Sequence, residues 1–211
     1  MQPIHFTRPH RANFCLLPFA ICLLPCLAWA QYDVLIRNGR VVDGAGNPWR
    51  RADVAIRGDA IAAVGPLEGS TAARTIDAAG RIVAPGFIDM HTHSRRGILD
   101  VPTAENYVRQ GVTTLIEGND GGSPVPLKPF LDRLTATRTS VNFASFIGQG
   151  SIRQQVIGSE NRRATADEIE RMKQLVRQGM EDGAFGLSTG LFYVPGNFTP
   201  TEEVIELARV A

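Results

Sequence analysis

The sequence predicts an α/β protein: a small β-rich module followed by the first half of a (β/α)8 barrel. Three observations carry this. Between Tyr32 and Pro85 short apolar runs alternate with turn residues and show no helical period. From Gly86 onward apolar strands alternate with helical segments. Those strands are nearly continuous in apolar residues, the mark of a parallel sheet covered by helices on its faces. The chain ends at Ala211 within the helical run "EVIELARVA", with no stop signal, so it reads as truncated. The alternative, a complete four-stranded open sheet, would leave strand edges and apolar helix faces uncovered.

Met1 to Ala30 reads as a secretory signal peptide. Arg8 and Arg11 form a basic start, "FCLLPFAICLLPCLAWA" an apolar stretch, and Ala28 and Ala30 a cleavage pattern. Pro18 and Pro25 interrupt the run, which argues against a stable membrane anchor. Pro25 before Cys26 argues against lipid attachment there. The expected location is therefore the periplasm or the medium. All three cysteines, Cys15, Cys22 and Cys26, fall in this leader, so neither disulfide nor thiolate is available afterwards. Without Arg8 and Arg11 the basic residues number 20 against 21 acidic, a balance that points away from nucleic acid.

In the module, expected at 31–85, "YDVLI" and "VVDG" flank Asn38-Gly39, a pair suited to a tight hairpin. "ADVAI" turns through "RGD" into "AIAAVG", and "RTIDAAG" leads into "RIVAPG". The pattern suggests a small antiparallel sheet. In the barrel segment, expected at 86–211, the strands are "GFIDMH", "VTTLIEG", "VNFASFIG" and "AFGLST". Helices are expected over 103–110, around 127–137, after Thr165 and after Thr199. Thr165 and Glu168 have capping-box spacing, and Ile169, Met172, Leu175 and Val176 repeat at helical period. Pro200 suits the first helical position after a Thr199 cap.

Four histidines are present, and His5 and His10 lie in the leader. His91 and His93 alone remain, at the end of what reads as a buried strand. Alternation puts both imidazoles on one face. At the carboxyl end of a barrel strand, that face is the mouth where active sites form. Two imidazoles in that position suit a zinc-type cation. Asp120 in "EGNDGGSP" ends the next strand and could add an oxygen donor, though Asn119 to Gly122 also have turn-forming types. Glu117 could be a paired buried carboxylate, a partner behind the ligands, or a ligand itself. Ser188 and Tyr193 in "GLSTGLFYVPG" could hydrogen-bond a substrate, or cap backbone groups and pack on the loop.

"RNGRVVDGAG", "ADVAIRGDAIAAVG" and "TIDAAGRIVAPGFIDMHTH" resemble the amino-terminal half of the amidohydrolase superfamily, which pairs a small β-sandwich with a metal-dependent (β/α)8 barrel. "QGVTTLIEGNDGGSP", "GQGSIRQQVIG" and "GAFGLSTGLFYVPGNFTPTEEVIELARV" are similar to its D-aminoacylase branch, over residues 32–211. The resemblance implies hydrolysis of N-acyl-D-amino acids or related small amides, with one or two Zn2+ or another divalent ion. It implies His91 and His93 as metal ligands. Asp120 stands where the branch usually has a cysteine ligand, and Gln149 where it often has histidine. A carboxylate is a harder donor than a thiolate, which changes the metal preference expected. Lys128 and Lys173 are the only lysines, both in helical segments, so no strand-end lysine is available to bridge two metals. The proton-handling aspartate is expected beyond Ala211, leaving no catalytic residue of that kind in this chain. A cyclic amidase and an inactive metal-binding half-barrel, self-associating through its exposed apolar surface, are the alternatives.

Overall fold

The computed structural model describes residues 30–211, so the expected leader lies outside the described residues. Contacts divide the described chain into two units. One holds the strands up to Val83, and the other comprises Ala84–Ala211 with Asp43–Asn47. The expected break lay two residues later, between 85 and 86.

The first unit is one sheet. Its strands are β1 (Tyr32–Val41), β2 (Arg50–Arg57), β3 (Ala60–Gly65), β4 (Ala72–Asp77) and β5 (Ile82–Val83). The order is β3-β2-β1-β4, with β5 also on β1. Here two expectations fail. The sheet is mixed, because β1 pairs antiparallel with β2 but parallel with β4 and β5. Asn38-Gly39 is also no hairpin: β1 runs straight through it with a register shift. Asn38 takes a left-handed φ of 58°. Carboxylates from two neighbouring strands hold it there: its N–H donates to Asp53 Oδ1 at 3.0 Å and its side chain to Asp77 Oδ1 at 2.9 Å. Asparagine tolerates that backbone region, so the pair builds a bulge as readily as a turn. The tight turn falls instead between β2 and β3, where Arg57 pairs with Ala60 across Gly58 and Asp59.

The second unit carries the strand–helix alternation. Strands β6 (Phe87–Asp89), β7 (Val112–Glu117) and β8 (Asn142–Ser145) form a parallel sheet in that order. Strand β9 (Ile147–Gly148) continues β8 after Phe146 and pairs in parallel with β10 (Leu187–Ser188). The "VNFASFIG" segment thus changes partner halfway, its early part on β7 and its end on β10. Successive strands are neighbours throughout, as in one side of a barrel.

Five helices accompany these strands: α1 (Glu105–Val108), α2 (Lys128–Thr137), α3 (Gln149–Val156), α4 (Ala166–Glu181) and α5 (Thr201–Ala208). Helix α4 begins as its sequence dictates. Thr165 accepts from the Glu168 N–H while the Glu168 carboxylate accepts from the Thr165 N–H. Its buried face, Met172, Val176 and Gly179, packs with Ile147, Ile152, Leu127 and Leu207. A Cβ on Gly179 would stand 2.7 Å from Ile147, so only glycine lets α4 approach β9 this closely. Helix α1 is shorter than expected, because Ala104 before it adopts φ 45°. Pro200 is not the first helical residue: its ψ of 156° leaves it just outside α5. Helix α3 was not foreseen.

The strand before the histidines also departs from expectation. Among described residues β6 pairs only with β7, and Phe87 and Ile88 are 65% and 58% exposed. No helix of the described residues is long and apolar enough to cross a membrane.

Candidate metal centre

After β6 the chain is sewn to the end of β7 at the residue between the two histidines. Thr92 donates its N–H to the Ile116 carbonyl at 3.0 Å and its hydroxyl to the same oxygen at 3.2 Å. Thr92 is buried, and alternation turns both imidazoles the other way, into solvent. Their rings lie 5.4 Å apart, inclined at 65°.

Strand β7 then delivers the third donor. Gly118, Asp120 and Gly121 all take positive φ, at 84°, 58° and 72°, which turns the chain sharply and lifts the Asp120 carboxylate over the strand end. Aspartate is among the few side-chain-bearing residues that occupy this region readily. The backbone is tightly nested there. A Cβ on Gly190 would lie 2.0 Å from the Asp120 carbonyl oxygen, so the β10 loop can close on this turn only with glycine. Asp120 is therefore both turn residue and donor.

The result is a convergence. Asp120 Oδ2 lies 3.1 Å from His91 Nε2 and 3.3 Å from His93 Nε2. All three donor atoms fall within 4.8 Å of one another. Donors bound tetrahedrally at the usual zinc distances stand about 3.3 Å apart, so two of the three edges already have the required length. Two nitrogens and one oxygen, each between a third and three-fifths exposed, form an open set, with room for further ligands. The residues present fit a zinc-type ion.

Asp120 also borders a cavity of about 450 Å³ lined in part by Ser123, Ser151, Gln154 and Tyr193. Tyr193 is thus placed beside the donor cluster, 55% exposed. Of the two readings of Ser188, the structure shows the backbone-capping contacts. Its hydroxyl proton goes to the Gly118 carbonyl and its oxygen accepts from the Gly121 N–H at 3.2 Å. It ties two strand ends together and has no proton left to give a ligand. On the other side, His93 borders a second cavity of about 360 Å³ with Tyr107. Burial first, then the charges of Asp89 and Glu117, hold the Tyr107 phenol above its ordinary range, so it stays protonated. Nothing in the sequence pattern had singled out Tyr107.

Four other residues resolve plainly. Glu117 is fully buried and belongs to an ion pair with Arg95, outside the donor cluster. Gln149 is fully buried too; its amide donates to Thr199 at 2.9 Å and to Glu203 at 3.2 Å. Lys128 pairs with Asp132, and Lys173 with Glu170 and Glu206, so neither lysine reaches the strand ends.

Parallel strands with a metal-competent donor set at their carboxyl ends define one side of an α/β barrel built for a divalent ion. Residues 74–206 match the model of the amidohydrolase family, and the chain belongs to that family. It is 38% identical over 201 residues to a D-aminoacylase of Alcaligenes xylosoxydans xylosoxydans, covering 84% of this chain and 42% of that protein. Among solved structures, a D-aminoacylase described with a binuclear metal centre superposes with a TM-score of 0.79 at 40% identity. An N-acyl-D-glutamate deacylase from Bordetella bronchiseptica, complexed with zinc and a phosphonate inhibitor, gives 0.80 at 35%. Each superposition covers 85% of this chain and 43% of the other. The chain spans about two fifths of the length of these relatives.

Proposed function

We propose that this chain carries the metal-binding part of a hydrolase that cleaves the amide bond of N-acyl-D-amino acids, with zinc as its ion. The observation that supports the reading most is the meeting of His91, His93 and Asp120 at adjacent strand ends, in a chain similar over most of its length to D-aminoacylase. His91, His93 and Asp120 would hold the cation, one or two ions in all. Bound there, it would supply Lewis acidity toward an amide carbonyl and toward water. The protein's own residues would do the rest. Asp120, which borders the 450 Å³ cavity, would hold the ion next to it, and Tyr193 on the cavity wall offers a phenol to orient a bound acyl or carboxylate group. Tyr107, protonated, offers a second donor on the His93 side.

The test is zinc uptake by this chain and, in a protein that carries it over the full length of its relatives, amine release from N-acyl-D-amino acids, their L-enantiomers and cyclic amides. Zinc bound at the histidines with D-selective release is the expected result. Release from the cyclic amides alone would move the assignment to a cyclic amidase. Zinc uptake without release from any substrate would leave a metal-binding half-barrel without activity. Export to the periplasm or medium is part of the same proposal, checked by fractionating cells that express the chain. Self-association belongs to the proposal too, supported by the exposed Phe192, 88% accessible. Sedimentation velocity would detect it.

A further inference from the structure

The carboxylate of Glu117 is the most buried charge near the donor cluster, and the metal reading gives it no task. Its partners all come from one short segment. Arg95 donates from its guanidinium to Oε1 and from its backbone N–H to Oε2 at 3.2 Å. The Ser94 hydroxyl lies 3.4 Å from Oε2 and also 3.1 Å from the Thr92 hydroxyl. Residues 92, 94 and 95 are therefore gripped by the last two residues of β7, Ile116 through its carbonyl and Glu117 through its carboxylate. Those same two residues lead, through Gly118 and Asn119, directly to Asp120. Asn119 returns its amide to the Ile116 carbonyl at 3.0 Å, which fixes the start of the Asp120 turn on the same anchor.

We infer that Glu117 is a positioning residue: by pinning Ser94 and Arg95 to the end of β7 it sets the distance between the His91–His93 pair and Asp120. The physical case has three parts. First, the histidine segment needs such a grip, because β6 is only three residues long and its ladder with β7 ends at Asp89, before the imidazoles. Second, a buried carboxylate is costly unless paired and hydrogen-bonded, and every contact found for this one lies on the segment carrying the histidines. Third, groups that orient metal ligands from behind act through geometry, and their loss weakens binding although no bond to the ion is removed. This inference rests on the metal reading of the site.

The experiment is a titration of the full chain with Co2+ and with Zn2+, reading affinity and the cobalt d–d spectrum, beside thermal melts of the metal-free protein. Glu117→Gln is isosteric but sets an amide NH2 against donors, and is expected to weaken binding roughly 10- to 100-fold and to alter the cobalt spectrum. Because an unpaired Arg95 against the buried position 117 could prevent folding, the paired variant Arg95→Met with Glu117→Met removes both charges. It is expected to melt near the wild type while keeping the weakened affinity. Glu117→Asp, which retains the charge, is expected to recover part of it. A folded paired variant with wild-type affinity and spectrum would overturn the inference and leave Glu117 a purely structural charge. A wild-type chain that takes up neither metal would overturn the metal reading as well, and so tells the two failures apart.

Discussion

Two charged clusters in the same unit make opposite use of their surroundings. Arg153 and Glu203, joining α3 to α5, are 0% and 1% exposed in their side chains and meet at 2.5 Å. Gln149, Thr199 and the Arg162 carbonyl complete most of the network. His91, His93 and Asp120 lie in the open, with three candidate donor atoms drawn together at adjacent strand ends. The first cluster balances its own charge and is a fastener. The second can hold itself by an imidazole N–H donating to Asp120 Oδ2, and with both Nε2 atoms deprotonated the same three atoms turn toward a common point that suits a divalent ion. Exposure and the meeting of three metal-ligating atoms at strand ends separate the candidate site from the buried ion pair.

The sharpest way to break this contrast is to unbalance the fastener. Glu203→Ala strands Arg153 in the interior and is expected to cost about 3–5 kcal/mol in urea denaturation. Replacing both partners, Arg153→Met with Glu203→Leu, should recover most of that, because the desolvation cost goes with the charges. A single variant as stable as the wild type would show that the pair fastens nothing. Next comes the open cluster. His93→Asn is expected to lower zinc affinity by more than roughly 100-fold, beyond the loss typical of groups behind the ligands. The melt of the metal-free chain should hardly move, since the ring is 53% exposed. A large drop in that melt would place His93 among structural residues.

Two smaller effects sharpen the comparison in helix α4. Thr165→Ala removes the side-chain acceptor of the capping box and should cost about 1 kcal/mol in the same denaturation series. An unchanged midpoint would mean that tertiary packing, not the cap, sets the start of α4. Glu168 in that box is held at about pH 2, first by its hydrogen bonds with Arg162 and then by the Thr165 N–H, against an ordinary value of 4.5. A depressed folded-state value means that its contribution is complete above pH 4.5 and is lost as pH falls from there toward 2. Subtracting the pH–melting curve of Glu168→Gln from that of the wild type should show a small difference confined to this window. Because the pair is partly solvent-screened, that difference should be the smallest of the four. A difference that persists at neutral pH but does not decline toward pH 2 would show that the charge is not what Glu168 contributes.

Much of this molecule was legible in its residues, and the misreadings have physical causes. The α4 cap was readable because Thr165 and Glu168 satisfy each other within one turn, with no help from elsewhere. Asn38-Gly39 was misread as a hairpin because left-handed asparagine serves turn and bulge alike, and only Asp53 and Asp77, far along the chain, decide between them. Helix α3 escaped notice because "QGSIRQQV" is short and polar, and it carries buried Arg153 on the apolar side beside Ile152. A signal was present: an arginine and a glutamate each lie on the apolar stripe of a helix, an invitation to pair them. Ser188 looked available only because its two backbone partners, Gly118 and Gly121, sit on another strand end.

Sequence alone determined the strand–helix alternation, the capped start of α4, and the placement of His91 and His93 on one face. These follow from local periodicity and from an inventory of side chains, which neighbours in the chain suffice to define. Tertiary structure alone decided that Asp120 reaches both imidazoles, that Glu117 turns to Arg95 instead of to the donors, and that Ser188 is a tie between loops. Each of these depends on distances between residues on different strands. Such distances are set by how strands register and how tightly glycine turns let them close, which no single segment encodes.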